Sequence, residues 1–301
     1  MQNPEMTLRV IGALANGYKQ CHAEFLSDVK VVESEQDFTV PILNPDTGAP
    51  SKSVVMYGVV DKLIHVGGAL WVIDHKTASR MPEREYLRIN AQGDIYLLAY
   101  RCRAYECTGI IWDYVRKPQI KQTQKESEAD YITRLSEDIA ARPEFYFLQV
   151  MSKRWQEDLK ASAIDTWQTH TMLMDCHRRN IWPRNTGACN GIYGTCEYLQ
   201  VCAEDNELTR GAYEKRVRRV PESSKRVESY SSLQCFRTCP KKYWWAYIEA
   251  IQPIVEKECF GFGRAFHAAL DVVYAGGSVD DHIAAEIEKL HNSGVIETPV
   301  F

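Results

Sequence analysis

No run in the 301 residues approaches the eighteen or more apolar side chains of a membrane-spanning helix, so a helical membrane span is excluded. A basic excess is also missing. The formal net charge is −4, and contact with nucleic acid would have to come from local patches rather than a global field. No G-x-x-x-x-G-K followed by Ser or Thr occurs, so any ATP-driven motor would have to be a partner. The opening "MQNPEMTLRV" lacks the basic-then-apolar order of a signal peptide, and a cytoplasmic location is expected. Cysteine, by contrast, is abundant. Ten in a reducing compartment favour metal ligation over disulfides.

A hydrophobic content of 45% suffices for one large domain or two small ones. Residues 6–27 repeat Leu8, Ile11, Leu14, Tyr18 and Cys21 at helical intervals. From Asp28 to Asp74 the pattern turns to strands, "DVKVVES", "FTVPIL", "SVVMYGVVDKLIHV" and "ALWVID", with "NPDTGAPSK" as a loop. Helical spacing returns over 86–105, 119–141 and 155–178. "GIIWDYVR" and "FYFLQVM" lie between these as strands. Residues 206–228 are rich in charge and poor in apolar side chains, which suits a basic linker or surface arm. Residues 229–250, 261–275 and 280–291 again look helical. A mixed α/β core, a central sheet flanked by helices, is the expected fold.

The most informative stretch is "VDKLIHVGGALWVIDHKT", Val60 to Thr77. Gly67-Gly68 signals a two-residue hairpin turn, and that register sets Asp61 opposite Asp74 with Cβ atoms roughly 4.5–5.5 Å apart. Lys76 shares their face, whereas His75 points to the other. Facing carboxylates repel, and a divalent cation such as Mg²⁺ or Mn²⁺ between them removes that cost. The bland alternative is a solvated Asp–Lys pair on a surface hairpin, against which the apolar "LWVI" argues burial.

"GVVDK" followed by "IDHK", with the second Asp thirteen positions after the first, resembles the PD-(D/E)XK nuclease superfamily. The resemblance implies a restriction-endonuclease-like core in which Asp61 and Asp74 hold the metal and Lys76 is catalytic. "QGDIY" places Gln92 and Tyr96 on one helix face and resembles the Q-x-x-x-Y helix of the RecB/AddB-type exonuclease branch. "SYSSLQCFRTCPKKYWWAYIEAI" and "FGFGRAFHAALDVVY" resemble that branch's two opening helices, which makes His267 the implied third metal ligand.

Those opening elements come last here. Reading 229–301 before 1–205 restores the family order, with each element present once. The implied domain plan is a nuclease core whose C-terminal part is 1–205 and whose N-terminal part is 229–301, joined by 206–228. Circular permutation, a domain-swapped homo-oligomer, or half-modules of a longer tandem all satisfy that order.

"CNGIYGTCEYLQVC" sets Cys189, Cys196 and Cys202 at gaps unlike the usual zinc knuckles. They resemble the late trio of the iron–sulfur nucleases in the same branch, and Cys239 of "CPKKY" maps onto the fourth ligand. The resemblance implies a structural 4Fe–4S cluster, with Zn²⁺ in the same thiolates as the alternative. Cys235 and Cys176 are competing ligands. Cys21, Cys102, Cys107 and Cys259 read as small core residues. In "RTCPKKYWW", Arg237, Lys241 and Lys242 stand beside Trp244, a mixture suited to phosphate contact and base stacking on single-stranded DNA. The bland reading makes the aromatics core and the lysines solvated. The functional expectation is a Mg²⁺- or Mn²⁺-dependent exonuclease on single-stranded DNA or DNA ends, in repair, recombination or phage DNA processing. A helicase partner is compatible with this. The rival is a non-catalytic DNA-binding iron–sulfur protein.

Overall fold

The computed structural model describes residues 3–191, 194–218, 220–254 and 259–292. The β-branched alternation in the first half of the chain builds a central sheet. Helices α1 (Pro4–Cys21) and α2 (Ala23–Asp28) precede strands β1 (Lys30–Leu43), β2 (Pro50–Val66) and β3 (Ala69–Ala78). Helices α3 (Arg84–Arg88) and α4 (Ala91–Cys102) then cross over to β4 (Gly109–Arg116). Next come α5 (Glu128–Ala141), α6 (Pro143–Tyr146), β5 (Phe147–Lys153) and α7 (Gln156–Arg179). The cysteine-rich stretch holds β6 (Asn190–Gly191), β7 (Gly194–Thr195) and α8 (Leu199–Ala203). After it lie α9 (Glu207–Arg210), β8 (Tyr213–Lys215), β9 (Arg226–Glu228), α10 (Tyr230–Thr238), α11 (Pro240–Tyr243), β10 (Ile251–Pro253), α12 (Cys259–Tyr274) and α13 (Val279–Asn292).

The main sheet runs β1-β2-β3-β4-β5, with β9 also on β2. The β3–β4 and β2–β9 pairs are parallel and the others antiparallel, so the sheet is mixed as expected. A parallel neighbour requires a crossover, which α3 and α4 supply between β3 and β4. One face is covered by α1, α5, α12 and α13, through Ile11, Leu14, Leu135, Phe266 and Leu270. The other carries α4, α7 and α10, through Leu97, Tyr100, Leu173 and Phe236.

The sheet is forked along β2. β3 pairs with residues 62–66 of that strand, β9 with residues 54–56, and the span between them has no partner from either. β9 is anchored by Glu228, which is fully buried and accepts hydrogen bonds from Tyr243 (2.6 Å) and Ser232 (2.5 Å).

Several expectations change. "DVKVVES" and "FTVPIL" form one long β1, bent by register shifts at Val31/Glu33 and Pro41/Leu43. The helix expected over 119–141 begins only at Glu128, where Ser127 caps it. The connector over 206–228 is not a loose arm. β8 pairs with β10, and β9 joins the main sheet with Val227 buried. Cys21 and Cys102 are exposed rather than core, each being the last residue of its helix. The side chain of Cys259 lies outside the described residues. The late helices close on the early ones within this chain, and His291 of α13 pairs with Glu5 of α1 at 3.1 Å.

Candidate active site

Gly67 and Gly68 adopt positive φ, +56° and +74°, and make the tight hairpin turn that their sequence dictates. The register is the expected one, running from Val66–Ala69 to Lys62–Ile73. The ladder then stops one step short of Asp61 and Asp74. Asp61 instead accepts the backbone N–H of His75 at 2.7 Å. The two carboxylates are therefore neighbours at the fork rather than a cross-strand pair.

Asp74 is 1% exposed and pairs with the Lys76 ammonium at 2.6 Å. Burial raises its carboxyl to about 6, with the Asp61 charge adding and the Lys76 charge opposing. On the same face, α4 presents Gln92. Its Nε2 donates to Tyr96 (2.6 Å) and lies 3.4 Å from Asp74 Oδ1. Asn90 caps this helix by accepting the Gln92 N–H, which fixes the first turn beside β3.

α12 approaches from the opposite layer. His267 Nε2 lies 3.0 Å from the His75 carbonyl oxygen. Burial lowers the His267 pKa and so favours the neutral imidazole that can ligate a metal. One donor atom each from Glu35, Asp61 and His267 lies within 4.8 Å of the other two. Asp74 stands beside this cluster but outside it. Partial burial, with the charges of Asp61 and Asp271, pushes Glu35 upward against the opposing charge of Lys62, as expected where carboxylates crowd together. Two carboxylate oxygens and an imidazole nitrogen suit a hard divalent cation such as Mg²⁺ or Mn²⁺.

Two supports lie behind the donors. Lys62, almost fully buried, pairs with Asp271 and donates to Ser34 at 3.2 Å. Asp271 is one helical turn beyond His267, so this ion pair fixes the helix that carries the imidazole. On the far face of β3, the His75 ring meets Asp113 at 2.7 Å, and Asp113 also accepts from Tyr18 at 2.7 Å. His75 therefore contacts Asp61 through its N–H and His267 through its carbonyl, while its own side chain is clamped from behind.

The chain matches the family model of the PD-(D/E)XK nuclease superfamily over residues 5–203 and 228–294. It belongs to that superfamily. No curated protein matches it. The two matched blocks flank the segment read from composition as the connector. PD-(D/E)XK membership implies a metal-dependent nuclease with DNA as substrate, and no described helix is long and apolar enough to cross a membrane.

Glu35 was invisible in the sequence. Its position opposite Asp61 depends on the β1–β2 register, in which Ser34 meets Lys62 and Gln36 meets Val60. The surrounding "VESEQD" is acidic for a strand, a signal without meaning until that pairing is known. A positive φ of 49° at Glu35, strained for a side-chain-bearing residue, marks the position in the structure.

Cys189, Cys196, Cys202 and Cys239 line one small cavity, together with Tyr198, Lys242 and Trp245. Cys239 Sγ accepts backbone N–H groups from Asn185 (3.3 Å) and Lys242 (3.5 Å). Cys235 and Cys176 are outside that lining. Burial pushes the Cys235 thiol up to about 12, which disfavours the ligating form. The four basic and aromatic candidates have intramolecular partners. Arg237 donates to Thr169 (2.7 Å), Lys241 sits 3.4 Å from the Trp244 ring centroid, and Lys242 pairs with Glu197 (3.3 Å).

Proposed function

We propose that this chain is an exonuclease acting on single-stranded DNA or DNA ends, with its catalytic centre at the fork between β2 and β3. The observation that carries the reading is the Glu35–Asp61–His267 donor cluster beside the buried Asp74–Lys76 pair. A Mg²⁺ or Mn²⁺ ion held there would supply Lewis acidity toward the scissile phosphate. Of the expected ligands Asp61, Asp74 and His267, Asp61 and His267 share the donor cluster with Glu35, and Asp74 completes the acidic wall beside it. Lys76 remains one-third exposed, so its ammonium can orient an attacking water and offset charge developing on the phosphate. Gln92 and Tyr96 hold the Asp74 side of the site in place.

The four-cysteine cavity supports a structural 4Fe–4S cluster. It would tie the segment after α7 to the start of α11, with the two backbone donors on Cys239 Sγ tuning the sulfur. Repair, recombination and phage DNA processing are compatible settings, and a helicase partner would supply unwinding.

The test is a time course on end-labelled single- and double-stranded DNA with Mg²⁺, Mn²⁺ or chelator. Metal-dependent release of short products from one end, lost in Lys76→Ala, is the expected result. Undiminished digestion by Lys76→Ala would remove the lysine from the mechanism. No digestion under any metal would remove the nuclease assignment.

A further inference from the structure

We infer that the span of β2 between its β3-paired and β9-paired segments, held on its other edge by β1, forms a subsite for one unstacked nucleobase of the DNA strand, next to the scissile phosphate. This rests on the nuclease reading above and adds how the strand is gripped. Where β3 and β9 both leave β2, the fork opens into a cavity of about 210 Å³. Its lining includes Phe38, Tyr57, Tyr96, Tyr230, Gln92 and Ser231. Four of the ten lining residues are aromatic and three (Gln92, Ser229 and Ser231) are polar; Tyr57 and Tyr230 are half-buried, with Phe38 and Tyr96 buried behind them. That composition offers ring faces for stacking and a few hydrogen-bonding groups for a base edge. The volume lies below the roughly 300–1,000 Å³ of sites for drug-sized ligands, which suits one planar ring system rather than a base pair.

The aromatic walls are built rather than incidental. Gly58 pairs with Phe38, and a Cβ at Gly58 would come within 2.7 Å of the Phe38 ring. Only glycine lets that ring lie across the strand. Phe38 in turn packs edge-on against Tyr96, with centroids 6.0 Å apart. The Tyr230 hydroxyl donates to Asn90 at 3.3 Å, and Asn90 caps α4. The cavity also shares Gln92 and Tyr96 with the catalytic wall, and Gln92 approaches Asp74 at 3.4 Å. A base seated here would place its backbone on the Asp74 side of the site, through the Gln92 that both share. A paired base could not enter, because only unstacking exposes its faces.

The experiment uses the full chain and single-stranded oligonucleotides in which one nucleotide at a time is replaced by an abasic analogue. Cleavage is followed with Mg²⁺ or Mn²⁺. An abasic residue at one fixed position from the cut should lower kcat/KM by roughly 5- to 150-fold, the usual worth of one stacked base. Tyr57→Leu should lower cleavage of intact DNA and flatten the abasic penalty. Its effect on intact DNA should vanish when the abasic residue occupies that position. A protein that cleaves DNA but shows a flat scan overturns the subsite and leaves the nuclease reading intact. A protein that cleaves none of the oligonucleotides overturns both. If Tyr57→Leu fails to fold, the scan on the parent protein decides alone.

Discussion

Asp74→Asn should make the metal-free protein more stable and, at the same time, abolish cleavage. Asp74 is buried, and its carboxyl is raised from an ordinary value near 3.8 to about 6 despite the Lys76 ammonium at 2.6 Å. That displacement corresponds to about 3 kcal/mol. The folded protein binds this proton more tightly than the unfolded chain does. Stability is therefore highest below the unfolded value and falls as pH rises through the window from about 4 to 6. Above about 6 the full penalty of a buried charge is present. Asparagine keeps the shape and the acceptor for Gln92 but carries no charge. Lys76, one-third exposed, can turn its released ammonium to water. Urea unfolding in chelator at pH 8 should then show Asp74→Asn more stable by up to about 3 kcal/mol, with the gap closing toward pH 4. A gap of opposite sign at pH 8, or one independent of pH, would refute the argument that Asp74 stores burial energy for function.

Other outcomes follow from the same geometry. Glu35→Gln should weaken Mn²⁺ binding by about tenfold or more in calorimetric titration, and an unchanged affinity would remove Glu35 from the ligand set. The Lys62–Asp271 pair is asymmetric, with side chains 3% and 45% exposed. Asp271→Ala strands a buried ammonium and should cost about 3–5 kcal/mol, whereas Lys62→Met leaves a half-exposed carboxylate and should cost less; urea midpoints in the reverse order would contradict this. Anaerobically purified protein should be brown with about four irons per chain and lose both colour and iron in Cys239→Ala, whereas stoichiometric zinc in a colourless protein would sink the cluster. A circular permutant joining residue 301 to residue 1 and opened within 216–225 should fold with unchanged far-UV circular dichroism and cleavage, because His291 already meets Glu5; an unfolded permutant would argue against the two ends being interchangeable with the connector.

The hairpin was legible because its turn is local. Two glycines at positive φ fix the register, and alternation then assigns Asp74 and Lys76 to one face and His75 to the other. The Gln92–Tyr96 pairing was legible for the same reason, four residues on one helix being neighbours whatever the tertiary fold. Glu35 and the Lys62–Asp271 pair were not legible, because each depends on a pairing between distant segments that no local pattern specifies. Asp61 shows where local reasoning stops. The register places it opposite Asp74, but the fork ends the ladder at Lys62, and the freed carboxylate takes the His75 N–H instead.

The same fork makes the proposed permuted order compatible with the site. The donors come from β1, β2 and α12, and the only covalent requirement is that each element reach the place where β3 and β9 part. α12 meets that requirement by packing against α1 and by clasping Lys62 through Asp271, not by preceding β2 in the sequence. His291 beside Glu5 brings the end of the late block to the start of the early one. The site is thus specified by what surrounds the gap in the sheet. For that reason, local motifs point to Asp61 and His267 but not to Glu35, whose place depends on the β1–β2 pairing.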